Sequence, residues 1–150
     1  MLPMKPLRLA LGTLLAAQAS SLAPAMDPNV IALVMSPFTE NENMVVGDIT
    51  LATFTGSTPI EGTTGAQTTG IDPVTQQQVI EIKPPLGGYR WETTDTVNLP
   101  QTIYGYALLT NDLATLLAIK TFDDPITLQD ADQFIDVDSA TMRFVLQPLS

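Results

Sequence analysis

The chain has 150 residues, with sixteen acidic and six basic side chains, a formal charge of −10, no cysteine and no histidine. That length suits one domain with one core, and 45% apolar residues can fill it, which argues against general disorder. Without cysteine and histidine this chain cannot supply disulfides, thiolate nucleophiles, zinc–histidine sites or serine–histidine triads. Its acidic balance disfavours a nucleic-acid partner through phosphate repulsion.

Residues 1–26 read as an N-terminal arm and linker, and 27–150 as a β-sandwich domain. The two differ in charge. Lys5 and Arg8 lie in a stretch with no acid, whereas from Met26 onward sixteen acids face four bases, giving −12. Residues 7–17 are almost wholly apolar, and Ala17-Gln18-Ala19 has the small-x-small form of a cleavage site. That composition fits a secretory signal and is too short for a membrane span. The same residues also fit a retained arm or short helix. Leu7, Leu11, Leu14, Leu15 and Leu22 recur at helical spacing and are the candidate interface residues. We take the arm, packed on its own domain or on a neighbouring subunit, as the expectation, with a cleaved signal as its rival. Pro24 and Pro28 end the segment.

Residues 30–35 form a continuous apolar run, the pattern of a buried strand, which Ser36-Pro37 ends. Residues 39–43 are a polar loop. Residues 44–54 alternate imperfectly around Gly47-Asp48 and predict a strand, a turn and a second short strand. Residues 56–70 are rich in Gly, Thr and Ser and predict a long surface loop. Such loops often carry binding function, although a loop of no special role fits equally. A turn at 72–76 leads into QVIEIK at 78–83, which alternates cleanly; Pro84-Pro85 and Gly87-Gly88 then break it. Tyr89 and Trp91 share one face of the next strand. Trp91 is the only tryptophan and is expected to anchor the core.

The chain is organised around residues 99–122. β-Branched, aromatic and aliphatic residues flank a polar break at Thr110-Asn111-Asp112, which predicts an antiparallel hairpin. Tyr104 and Tyr106 share one face; Ile103, Gly105 and Ala107 share the other. Gly105 between two tyrosines suggests a bulge or a close backbone approach. Asn111 and Asp112 tolerate the left-handed conformation that hairpin turns need. The return strand, 115–122, is expected to end at the turn signal Asp123-Asp124-Pro125. A helix over 113–120 is the weaker alternative. Strands at 133–137 and 141–147 complete about eight. The fold class is therefore all-β, a single β-sandwich or jelly-roll-like domain with an apolar N-terminal arm or short helix.

Asp123, Asp124, Asp130, Asp132, Asp136 and Asp138 form the single acidic concentration that resembles a site. Asp130-x-Asp132 and Asp136-x-Asp138 pair carboxylates as candidate metal ligands, since carboxylate oxygens suit calcium or magnesium. The glycine and glutamate that an EF-hand loop requires are absent, and a solvated acidic rim explains the run equally. No nucleophile has a visible base, and Gly87-Gly88 lacks phosphate-loop spacing. Neither enzyme activity nor a cofactor is expected.

Several phrases carry a family resemblance: GGYRWETT at 87–94, NLPQTIYGYALLTND at 98–112, DPITL at 124–128, a closing apolar strand ending at Leu149-Ser150, DITLATFTGSTPI at 48–60 and the turn Asp72-Pro73. Together they resemble small virion-associated structural proteins of tailed bacteriophages from aquatic environments, across most of residues 45–150. The resemblance implies a capsid cement or decoration protein located in the virion. It would be a homo-oligomer, with a trimer expected, in contact with the major capsid protein or other virion proteins. No catalytic residue carries over, and neither nucleic acid nor membrane is an expected partner. The apolar run at 7–19 is less typical of the resemblance. One alternative is a phage tail-fibre, baseplate or receptor-binding module, with Tyr89, Trp91 or the 56–70 loop on a host glycan. The other is a secreted bacterial β-sandwich protein with a cleaved signal peptide.

Overall fold

A computed structural model describes residues 2–4, 29–61, 67–71, 73–74, 76, 78–82, 88–137 and 142–145. Its strands are β1 (Leu2–Pro3), β2 (Asn29–Val34), β3 (Ile60–Glu61), β4 (Gln67–Ile71), β5 (Gln78–Ile82), β6 (Tyr89–Glu92), β7 (Gln101–Thr110), β8 (Leu116–Leu128), β9 (Phe134–Val137) and β10 (Met142–Val145). Every pairing is antiparallel. A five-stranded sheet runs β1-β8-β7-β2-β3, a three-stranded one β10-β5-β4, and β6 pairs with β9. The all-β class holds. The one helical element among the described residues is a single turn of 3-10 helix, Val46–Asp48.

The central sheet follows from the hairpin. β7 and β8 pair from Gln101↔Leu128 to Leu109↔Leu116, and β2 lies along the other side of β7. All six residues of β2 are buried, so both faces of the sheet are covered and the run reads apolar without a break. Ile31 and Leu33 face one core, shared with Phe54, Tyr89, Trp91, Leu117 and Ile135. Val30, Ala32 and Val34 face a second, shared with Met4, Ala107, Leu109 and Ile119. Phe38, Met44, Val46, Ile49 and Leu51 pack against that second core.

Two register shifts shape the hairpin. Between Ile103↔Ile126 and Gly105↔Thr121, β7 advances two residues and β8 five, so residues 122–125 oppose Tyr104 alone. The expected stop at Asp123-Asp124-Pro125 is thus wrong: β8 runs through it to Leu128. The proline sits in a bulge, where the missing N–H costs no ladder bond. The bulge also swaps faces. Ile103 lies in the first core, and so do Leu108 and the partly buried Tyr106, an odd spacing that a regular strand cannot give.

The hairpin turn differs in detail. Leu113, rather than Asn111 or Asp112, takes the left-handed conformation, at φ 59°. The Asp112 carboxylate explains this. It accepts from Thr110 Oγ1 (2.6 Å) and from the Ala114 N–H (3.0 Å), holding Asp112 as the loop's clamp. The alternative helix over 113–120 is not formed; residues 116–120 are strand.

Two loop expectations also change. Residues 44–54 hold no strand: the Asp48 carboxylate accepts the Val45 N–H (2.9 Å) and closes the 3-10 turn, leaving one bridge, Leu51↔Val34. The expected loop 56–70 contains β3, whose Ile60 pairs with Ile31, and most of β4; residues 62–66 lie outside the described residues.

Trp91 anchors the first core as expected. It is 1% exposed, and its Nε1 donates to Thr58 O (3.1 Å). Tyr89 stacks beside it at 6.2 Å between ring centroids. The Tyr89 hydroxyl is buried and has no hydrogen-bond partner, and burial, aided by Tyr106, pushes the phenol up to about 12. Gly105 is the close approach that the sequence suggests. A Cβ there would overlap the Lys120 carbonyl oxygen and lie 2.9 Å from Phe38 Cζ.

Gly105→Ala is expected to destabilise by about 2–3 kcal/mol or more, since the obstruction is backbone. Gly47→Ala meets nothing within 4 Å and is expected to stay within about ±1 kcal/mol. Urea unfolding of both variants checks the pair. The same measurement on Tyr89→Phe is expected to show no loss, or a gain of up to ~1 kcal/mol, because the substitution removes a buried hydroxyl that nothing satisfies.

Candidate functional site

Two adjoining surface features lie on the second-core side of the central sheet. The first is the edge of β8. β1 covers part of it through Leu2↔Ile119 and Pro3↔Ala118, and the Met4 N–H donates to Leu117 O (2.7 Å). Pro3 stands next to that bonded position, at a point of the ladder where no N–H is required. Met4 is 0% exposed and belongs to the second core.

Beyond β1 the edge is closed by a side chain. Glu40 Oε1 accepts from the Thr121 N–H (2.9 Å) and from Thr121 Oγ1 (3.0 Å). The carboxylate thus stands where a neighbouring strand's carbonyl would. Burial alone would push Glu40 up. The two Thr121 bonds, with Lys120 nearby, outweigh it and hold the carboxyl below its ordinary value. Capping an outward N–H with a charge guards an edge against unplanned pairing.

The second feature is a cleft of about 320 Å³ between residues 42–46 and Ala114, Thr115 and Leu116 of the hairpin turn. Met44 and Val46 also pack against the second core, and Val45 is exposed at the rim. The Asp112 clamp fixes the turn side; hydrogen bonds from Thr110 and Ala114 hold Asp112 below the usual carboxylate range. Glu42 is the single ionisable residue among those that line the cleft. The cleft can receive apolar side chains.

The acidic residues do not converge. Asp123 and Asp124 lie exposed in the β8 bulge. Asp130 and Asp132 build the β8–β9 turn with their backbones. Asp130 O accepts from Thr93 Oγ1 (2.8 Å), and Asp132, at φ 63°, donates its N–H to Thr93 O (2.8 Å). Asp136 is engaged by Arg90 through two bonds of 2.7 and 2.8 Å, a bidentate pair that lowers Asp136. The Arg90 guanidinium also lies 4.2 Å from the centroid of the exposed Phe134 ring. Asp138 lies outside the described residues. Among the described residues no three His, Cys, Asp or Glu gather to hold a metal, and no helix is long and apolar enough to cross a membrane.

Leu7, Leu11, Leu14, Leu15 and Leu22, the candidate interface residues, lie outside the described residues. Tyr89 and Trp91 are 2% and 1% exposed, so neither ring offers a face to a glycan. That removes the aromatic contact expected of a receptor-binding module. Sequence reading missed Met4 and Glu40. Nothing near Glu40 in the chain marks it, because its partner is 81 residues away.

No known family model, curated protein or solved structure matches the chain.

Glu40 gives a pH prediction. Its lowered folded value means that its contribution is present above the ordinary value of 4.5 and is lost as pH falls through the folded value. Glu40→Gln is therefore expected to flatten the stability–pH curve below about pH 4.5 and to leave the curve's shape at pH 6–8 unchanged. The neutral-pH loss is expected to stay under ~1 kcal/mol, since solvent screens this partly exposed group. Thermal melts of both proteins from pH 3 to 8 check the sign.

Proposed function

We propose that the chain is a structural protein of a bacteriophage virion, of the capsid cement or decoration type, acting through protein–protein contact. The observation that carries this reading is the strand formed by Leu2–Pro3 on the β8 edge, with Met4 buried beside it. Strand addition at a sheet edge is a standard mode of joining chains, with main-chain bonds for affinity and a side-chain pocket for register. The same contact supports a retained arm rather than a cleaved signal, because cleavage after Ala19 would remove β1.

The finer architecture belongs to the proposal. Tyr89, Trp91 and Ile135 of β6 and β9 share a core with Ile31 and Leu33 of the five-stranded sheet, which supports a two-layer sandwich of jelly-roll type. A symmetric oligomer, with a trimer as the first expectation, would bring the β8 edge and the neighbouring cleft against the shell. Stabilisation would come from the area buried between capsomers.

Mass spectrometry and immunogold microscopy of purified particles test the reading. The expected result is many copies of a subunit near 16.1 kDa, with gold on the head. Gold confined to the tail would replace the cement reading with a fibre or baseplate role. A chain found outside particles and lacking residues 1–19 would overturn the virion reading in favour of secretion.

A further inference from the structure

We propose that residues 2–4 are an exchangeable strand, and that the partner taking the β8 edge through them is a second copy of this chain. The proposal stands on strand pairing alone and holds whether or not the chain belongs to a virion.

Three observations lead to it. β1 is a short unit of two ladder pairs, and directly after it come the Met4–Leu117 bond and the buried Met4 side chain, which acts as a plug. The sheet order β1-β8-β7-β2 places two strands, β8 and β7, between β1 and β2, the next described strand in the chain. The 24 residues 5–28 join them. A covalent path of that length reaches up to about 80 Å when extended, which is enough to enter a neighbouring domain as well as its own. Finally, the edge that receives β1 is delimited. Glu40 occupies the Thr121 N–H immediately past it, so an incoming strand finds room for the Leu2–Met4 register and no further slide.

An exchanged pair makes the same contacts as the closed monomer. Its equilibrium therefore depends on effective concentration, on the order of mM for a short tether. Exchange is a low-cost route to a dimer because no new interface has to be invented. At ~10 µM the closed monomer dominates. Near ~1 mM, or where copies are held side by side on a surface, exchanged pairs become comparable in population.

The chain has no cysteine, so disulfide trapping is clean. Pro3 and Ala118 are direct partners in the ladder, at a spacing that a disulfide spans. Pro3→Cys and Ala118→Cys are made in separate full-length chains, mixed from ~10 µM to ~1 mM and oxidised. The expected product is a covalent dimer linked between positions 3 and 118, identified by peptide mass, that rises at least tenfold across the range. The double variant in one chain, oxidised at ~10 µM, is expected to close the same link within a monomer. No 3–118 link between chains at ~1 mM, beside a closed link in the double variant, overturns the proposal. A double variant with no such link overturns it too, because β1 would then not lie on β8. Native mass spectrometry of the unmodified chain at ~1 mM is the second measurement. A dimer that Met4→Asp reduces at least tenfold supports exchange; no dimer, or a dimer that Met4→Asp leaves unchanged, overturns it.

Discussion

The fold depends on one constraint: the β7–β8 hairpin must be buried on both faces. A sheet with one wet face alternates apolar and polar residues. Here β2 is apolar at five of its six positions and buried at all six, and β7 buries Ala107, Leu108 and Leu109 in succession. Two cores result, and each needs its own cover. The first is covered from β6 and β9, through Trp91, Tyr89 and Ile135. The second involves Met4 and the segment from Phe38 to Leu51. Both candidate surface features border that second core, and both follow from how it is closed.

The same constraint explains where side-chain charge is used. Two buried polar side chains, Gln101 and Thr93, tie the chain together. Gln101 takes the Thr53 N–H on its Oε1 and donates from Nε2 to Thr53 Oγ1 and Asn98 O, fixing the 52–55 loop to β7. Thr93 accepts the Gln133 N–H and donates to Asp130 O, fixing the turn that returns the chain to β9. Apart from the local bond to Asn98, these contacts join residues 37 to 48 apart, so they set tertiary placement rather than local form. The aspartates around them are turn builders and ion-pair partners. Their density in the sequence reflects the number of tight turns, together with the solubility that an acidic surface provides.

The legible parts of the sequence were those governed by short-range periodicity. The hairpin, the strands at 29–34, 78–82 and 134–137, the buried Trp91 and the close approach at Gly105 all follow from alternation, composition or a glycine between bulky neighbours. The misread parts share another cause. Asp123-Asp124-Pro125 is a turn signal by local chemistry, yet the ladder resumes beyond it because Ile126 and Leu128 pair with Ile103 and Gln101. The 44–54 stretch has strand-like residues, but the Asp48 carboxylate closes a turn first. The β8 edge was invisible because its closing groups, Leu2–Met4 and Glu40, come from distant parts of the chain and carry no pattern of their own.

The edge has a further consequence for how the surface is divided. Long, flat strand edges invite indiscriminate pairing. β8 is the longest strand described, at thirteen residues, and its outer edge is guarded piece by piece. β1 covers residues 118–119, Glu40 takes Thr121, and the bulge at 122–125 with its two aspartates and proline interrupts the remainder. Of these three devices the last two repel or block a strand in place. β1 alone is itself a strand, two residues long and followed by the buried Met4. The edge is therefore guarded along most of its length, and the part left to a strand is taken by residues 2–4. In an edge built this way, what blocks other strands matters as much as what holds this one.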